Sequence, residues 1–391
     1  MQPEISLLAV ICLIGAAQGV FLMTALWDKK IANHDANRYL VAFLMVFTLA
    51  LIDEFFYQSR YFYLFPYLVG LSWPTEFLYA PFFYFYILSL TVTPVVIRKK
   101  QLWHFLPFVI GFALAMPTWM LTPDEKFELL YGDLVPTAGQ TYWAVVCDIA
   151  AILIFSFQTA IYLFLCFRQL YVFRRRLRQQ CSSIEKINLT WLERLLWLVV
   201  FIWGVYIIDM YISDALGIAG FTEDVLFVSM TVTIYAMGYM GLRQPLVFKC
   251  VDLGEESGLE TKGRPDKYKK ARLPDTVLHD VKQRLLKVMT DQRPYLECEL
   301  TLPQLAELVG CTTNHLSQVI NEGVQKTFFD FVNFYRVEEV KRQLADPEKT
   351  KLSILTLAMD AGFNSKSAFY SAFKKEVGVT PGQFRKSLKS P

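Results

Sequence analysis

Seven apolar runs of about twenty residues occupy the first 242 residues and none follows them, and this constrains the chain more than any other feature. The runs cover 5–27, 39–56, 73–92, 102–120, 142–167, 195–212 and 225–242. Each is close to the ~20 residues that a helix needs to cross hydrocarbon. Composition follows the same division. Residues 1–240 hold 15 Lys/Arg against 17 Asp/Glu, whereas residues 241–391 hold 24 against 19. The whole chain is 54% hydrophobic and 19% charged, below the ~25% charged of soluble domains. A single soluble enzyme, a disordered chain and a collagen-like chain are excluded. The expected class is all-α: a seven-helix transmembrane bundle followed by a soluble helical domain.

Loop charge sets the orientation. With the N-terminus outside, the inner segments carry Lys29, Lys30, Arg38, Arg98, Lys99, Lys100 and the group from Arg168 to Arg194, and the outer segments carry only Arg60 and Lys126. The positive-inside rule then gives seven spans with the C-terminus in the cytoplasm. The third run is the irregular one. Residues 61–97 are too long for one straight helix and are broken at Trp73, Pro74, Thr75 and Glu76, so the first part is either interfacial or a separate span. An eighth span would put Arg98 to Lys100 outside. Met1 to Ser6 carries no basic residue and no cleavage site follows the first run, so that run is expected to stay attached. Seven cysteines without paired spacing indicate reduced thiols and neither a disulfide framework nor a zinc site.

The outer loops are short, and the longest, 121–140, is acidic; any external signal must be read by loops or by the bundle. Charged groups at membrane depth face the bundle interior or a cavity, because exposure to lipid costs on the order of 2.5 to 3.5 kcal/mol. Asp148 and Asp209 lie deep in their runs and form a candidate intramembrane polar site with Asp53 and Glu76. The last two, like Glu54, lie near run ends, where an anchoring role in the interface is the alternative. The basic run Arg168 to Arg178 suits orientation and anionic headgroups better than nucleic acid.

Residues 1–245 therefore form the membrane region. Residues 246–273 are polar and broken by Gly254, Gly258, Gly263 and Pro265, which reads as a flexible linker reaching on the order of 25 Å. Residues 274–391 form the soluble domain, opening with an amphipathic helix over 274–289.

Within that domain Thr301, Pro303 and Gln304 form a capped helix start, Leu302, Leu305, Ala306 and Val309 make its buried face, and Gly310 ends it. Thr312 caps a second short helix with Leu316, Val319 and Ile320 inside. Thr313, Asn314, Ser317 and Gln318 then point outward. This is a helix-turn-helix. It recurs 52 residues later, Ala306 to Gly310 matching Ala358 to Gly362, and a helix over 328–344 bridges the two copies. Thr380, Pro381 and Gln383 start a last short helix.

Two second helices held on one rigid helix can enter successive major grooves, ~34 Å apart, on one face of DNA. Asn314 and Gln318 suit adenine, Lys366 suits guanine, and Thr313, Ser317, Ser367 and Ser371 are tolerant. Lys326, Lys374, Lys375 and Arg385 would hold phosphates and fix register.

The run Ala358, Gly362, Phe363, Ser365, Phe369, Phe373, Lys374, Gly378, Thr380, Pro381, Phe384 and Arg385 resembles the signature of AraC/XylS-type transcriptional regulators. The resemblance covers about residues 296–390. It implies a seven-helix DNA-binding domain, promoter recognition by the two second helices at Asn314, Ser317, Gln318, Lys366, Ser367 and Ser371, and contact with RNA polymerase. Many members have Arg where this chain has Ser371, so that place reads its base weakly or touches only backbone. With seven spans ahead of this domain, the chain is similar to the membrane-integral members of the family. The expected protein is a transcription regulator of the bacterial inner membrane. Its partners would be double-stranded promoter DNA, RNA polymerase, the lipid bilayer, a second copy in a homodimer, and a small ligand or membrane protein that biases the bundle. No cofactor, metal or catalytic residue is expected. The alternative is a transporter or membrane enzyme with an attached DNA-binding module; His34, His104, His279 and His315 form no ligand spacing, and no nucleophile elbow or phosphate loop is present.

Overall fold

The computed structural model describes residues 4–28, 33–92, 99–131, 139–184, 190–212, 219–242, 273–349 and 351–388. It is all-α and divides into two compact units. One holds Met1–Tyr171 with Leu189–Pro245, the other Val172–Asn188 with Leu246–Pro391.

The first unit contains α1 (Leu7–Leu26), α2 (His34–Gln58), α3 (Tyr79–Thr91), α4 (Leu106–Met120), α5 (Pro123–Tyr131), most of α6 (Gln140–Gln180), α7 (Thr190–Tyr211) and α8 (Ala219–Leu242). Ser6 caps α1 by accepting the Ala9 N–H at 3.1 Å. Where α1 meets α2 and α8 the helices approach closely enough that a side chain at Gly19 would strike Thr48, and one at Gly238 would strike Leu22. Small residues at such seams let apolar helices gain packing contacts that hydrophobic burial cannot supply in lipid.

Among the described residues, five helices are long and apolar enough to cross a membrane: Leu7–Leu26, His34–Gln58, Gln101–Met120, Thr141–Gln180 and Trp191–Tyr211. Seven spans are expected from the sequence, the third of them irregular. The third run begins as a 3-10 helix over Trp73–Leu78, with Pro74 in its first turn, and only then becomes the 13-residue α3. The missing proline N–H and the fixed proline φ favour that helix start over a continuous α-helix. The last run lies in α8, Ala219–Leu242, whose described side chains include the apolar stretch Asp224–Met240. The fifth continues well past residue 167, so the basic residues Arg168 to Arg178 are helical. The acidic loop folds into α5, where Tyr131 stacks on Tyr57 with centroids 5.2 Å apart and donates to the Tyr57 carbonyl at 3.0 Å. The expected linker lies, but for Leu273, outside the described residues.

The second unit contains α9 (Asp275–Asp291), α10 (Leu302–Val309), α11 (Thr313–Gln318), α12 (Phe328–Ala345), α13 (Ile354–Asp360), α14 (Lys366–Val377) and α15 (Pro381–Ser387). Helix α12 belongs to two cores. Phe328, Phe331 and Val332 pack with Leu285, Leu305, Leu316 and Ile320, while Val337, Val340 and Leu344 pack with Leu357, Phe369 and Phe373. This is the expected bridge, with its apolar residues divided between the units by position along one helix.

Candidate functional site

Each helix-turn-helix is built by the caps that its sequence announces. In the first unit Thr301 accepts the Gln304 N–H at 3.5 Å and Gln304 Oε1 accepts the Thr301 N–H at 2.9 Å, a reciprocal capping box. Gly310, with φ of 70°, ends α10; the Arg284 guanidinium covers the freed carbonyls of Val309 and Gly310 at 3.2 and 3.1 Å. Thr312 then accepts the His315 N–H at 3.2 Å and starts α11. In the second unit Ser353 caps α13, Gly362 turns the chain with φ of 92°, and Ser365 caps α14 through the Ala368 N–H at 3.1 Å. The turns are closed alike: Cys311 N–H donates to Ala306 at 3.0 Å and Phe363 N–H donates to Ala358 at 3.1 Å. Thr380 and Gln383 make the last capping box.

The structure leaves Asn314, Lys366, Ser367 and Ser371 exposed and Thr313, Ser317 and Gln318 half-buried. In α11, Gln318 donates to Glu322 at 3.3 Å and Asn321 donates to Ser317 at 3.2 Å. The helix is short, passing at Val319 into a wider π turn that ends at Gly323. In the longer α14, Lys366 lies 5.7 Å from the Tyr370 ring centre and Ser367 shares a 3.2 Å hydrogen bond with Ser365.

The cations expected at phosphates separate into two groups. Lys374 is exposed in the last turn of α14. The others have partners within the domain: Lys326 pairs with Glu376 at 3.1 Å and lies over Phe334, Lys375 pairs with Asp330 at 2.6 Å, and Arg385 donates to the Leu352 carbonyl at 2.9 Å. Burial works against the Asp330 carboxylate, but hydrogen bonds from Lys375 and Thr327 outweigh it and hold its pKa below the usual range. One pair joins the segment just before α12 to α14 and the other joins α12 itself to α14.

Arg336, unremarked in the sequence, is the largest fully buried side chain, 1% exposed. It sits in α12 between the two apolar groups. Its Nε donates to the Tyr295 carbonyl at 2.8 Å, Nη2 to the Glu297 carbonyl at 2.7 Å, and Nη1 to the Ser182 carbonyl at 3.1 Å. The segment after α6 is thereby part of this domain. Ser182 N–H also donates to Leu300 at 3.1 Å, and Asn364, one residue before the cap of α14, donates to Ser183 Oγ at 2.6 Å. The only sign of Arg336 in the sequence is a cation inside an otherwise apolar helix face, and a solvated arginine gives the same sign.

In the first unit the four nominated acids gather around two neighbouring cavities. Asp53, Glu76 and Asp148 line one of about 400 Å³; Glu76 and Asp209 line the other, of about 260 Å³. Glu54 lines both. Thr118 donates to Asp148 at 3.4 Å, Thr222 donates to Asp209, and Gln58 donates to Glu54 at 2.7 Å. No three His, Cys, Asp or Glu among the described residues form a metal-binding group.

Residues 305–387 match the family described as "Helix-turn-helix domain". Over 87 residues the chain is 38% identical to the Melibiose operon regulatory protein of Escherichia coli (strain K12), covering 22% of this chain and 28% of that protein. It is 34% identical over 87 residues to an uncharacterized HTH-type transcriptional regulator of Staphylococcus aureus (strain COL), covering 22% of this chain and 11% of that one. The chain thus spans less than a third of the length of either relative. No solved structure matches it. Residues 305–387 therefore form a helix-turn-helix domain, and the 304 residues ahead of it lie outside that family match.

Proposed function

We propose that the chain is a membrane-embedded transcription regulator that reads promoter DNA with α11 and α14 and takes its signal from the N-terminal helices. The observation that carries the DNA reading is the repeat itself: two helix-turn-helix units with identical turn closure, fixed on one helix, each presenting small polar and basic side chains at the start of its second helix. Asn314, Ser317 and Gln318 read one half of the site and Lys366, Ser367 and Ser371 the other. Lys374 is the best-placed phosphate contact, and Lys326, Lys375 and Arg385 are available to phosphate only by exchanging their present partners. RNA polymerase is the partner through which an activator of this type would act.

Membrane embedding rests on the five long apolar helices and on the positive-inside charge pattern. The 3-10 turn and α3 together reach roughly 30 Å, enough for a broken third crossing of the bilayer. With Asp224–Met240 this supports seven crossings, N-terminus out, in the bacterial inner membrane. The signal passes through residues 181–183, the segment that follows α6 and is clasped by Arg336 and Asn364. A ligand or membrane partner that favours one arrangement of the bundle biases how α14 is held, and only differential affinity for the two arrangements has that effect. Pairing of two copies would raise local concentration on repeated sites.

The test is fractionation and crosslinking of the intact chain. Full-length protein is expected in the inner membrane, resistant to alkaline extraction, and crosslinked to a few promoters. Recovery in the soluble fraction contradicts embedding, and evenly spread crosslinks contradict promoter recognition.

A further inference from the structure

The smaller cavity of the first unit has a composition that its packing does not require. Its walls combine the rings of Phe43, Phe47, Tyr79, Phe83, Phe155 and Trp203 with the carboxyl groups of Glu54, Glu76 and Asp209. No Lys, Arg or His lines it or its larger neighbour. Glu54 and Asp209 have hydrogen-bond donors in Gln58 and Thr222. Glu76, which faces both cavities, has none among the described side chains. Thr159 is a second and independent sign: it lines the same cavity, is 8% exposed, and its Oγ1 has no hydrogen-bond partner. Buried hydroxyls are normally paired, and an orphan in a cavity wall marks a place for a group that is not part of the chain.

We infer that this cavity binds a lipophilic organic cation, a protonated amine on an apolar body, with the ammonium between Glu76 and Thr159 Oγ1 and the body among the aromatic rings. The carboxylate supplies the opposite charge that a desolvated ammonium needs. Aromatic faces add cation–π attraction, worth about 2 kcal/mol when desolvated. An anion of the same shape would meet carboxylates and ring faces, and a neutral molecule would leave Glu76 without a charge partner. The volume, about 260 Å³, is at the small end of ligand pockets. This inference rests on the reading of the N-terminal unit as a sensor and names the chemical class of its ligand.

The test uses the full chain in lipid nanodiscs, with 4-phenylbutylamine as probe and 4-phenylbutanol and 4-phenylbutyrate as controls of the same body. Saturable binding is measured above that of empty nanodiscs. The amine is expected to bind at least tenfold more tightly than either control, with Glu76→Gln abolishing that preference and Thr159→Val weakening the amine several-fold. Thr159→Val keeps the side-chain shape and decides the matter where Glu76→Gln fails to fold. Equal binding of amine and alcohol, amine affinity unchanged in the variants, or no saturable binding overturns the site. DNA retention is followed in the same samples. Amine binding that leaves DNA retention unchanged overturns the sensor reading while the site stands; DNA recognition without amine binding overturns the site while the regulator stands.

Discussion

The two helix-turn-helix units share their punctuation and differ in their surroundings. Both turn at a glycine of positive φ closed by the same pair of backbone bonds. Yet at Gly310 an added Cβ would meet only Arg284 Nη1 at 3.6 Å, whereas at Gly362 it would meet the Tyr295 and Leu296 carbonyl oxygens at 2.5 and 2.8 Å. The first turn needs glycine for its conformation alone. The second needs it also because the backbone that Arg336 gathers passes directly over it. Units repeated in sequence are therefore unequal in the fold: the turn glycine of the second is packed against backbone, and that of the first is not.

The largest expected effect follows from this inequality. Gly362→Ala combines left-handed strain with a clash against backbone and should destabilise the domain by roughly 3 kcal/mol or more, while Gly310→Ala should cost about 1 to 2 kcal/mol. Chemical denaturation of the two variants checks the order, and equal losses would erase the asymmetry. Arg336→Met comes next. It leaves the Tyr295, Glu297 and Ser182 carbonyls without their donor and should cost about 2 to 3 kcal/mol or more. Hydrogen exchange should show residues 181–183 losing protection ahead of α10.

DNA recognition sharpens the comparison differently. Gln318→Ala and Lys366→Ala should each cost about 1 to 3 kcal/mol and relax base preference at separate positions. Lys374→Ala should weaken all sequences alike and reduce the salt slope by about one. The smallest effect belongs to the pair of Lys375 with Asp330, whose side chains are 62% and 24% exposed. Lys375→Ala should cost under about 1 kcal/mol. The sign with pH is fixed by the lowered pKa of Asp330: the contribution is present above the unfolded carboxyl value of about 4 and is lost as pH falls through the lower folded value. Melting of the variant against the parent chain at pH 7 and pH 3 should therefore converge at the acid end.

The C-terminal domain was legible because its signals are local. Thr301 with Gln304, Thr312, Gly310 and Thr380 with Gln383 act within four residues, and the structure places each cap where the residues announce it. Long-range contacts left no such trace. Nothing in sequence joins Arg336 to Ser182 or Lys326 to Glu376, because burial of a cation depends on carbonyls brought together by the whole fold. In the N-terminal unit hydropathy marked the apolar runs, and the break at Trp73, Pro74, Thr75 and Glu76 marked the third as irregular; that the break takes the form of a 3-10 helix over Trp73–Leu78 was not legible, since apolar composition does not distinguish it from an α-helix. The four acids were nominated by the cost of charge in lipid. That Glu76 faces both cavities was visible only in the packing of α2, α3, α6 and α7.

The most direct test of the central claim is selection of genomic fragments by the full chain in nanodiscs near physiological salt, repeated with Gln318→Ala and Lys366→Ala. A compact recurring site, with preference relaxed at two positions about one helical turn apart, is the result the two-unit account predicts. Binding that is sequence-blind and only salt-sensitive, or two substitutions that relax the same position, would contradict it.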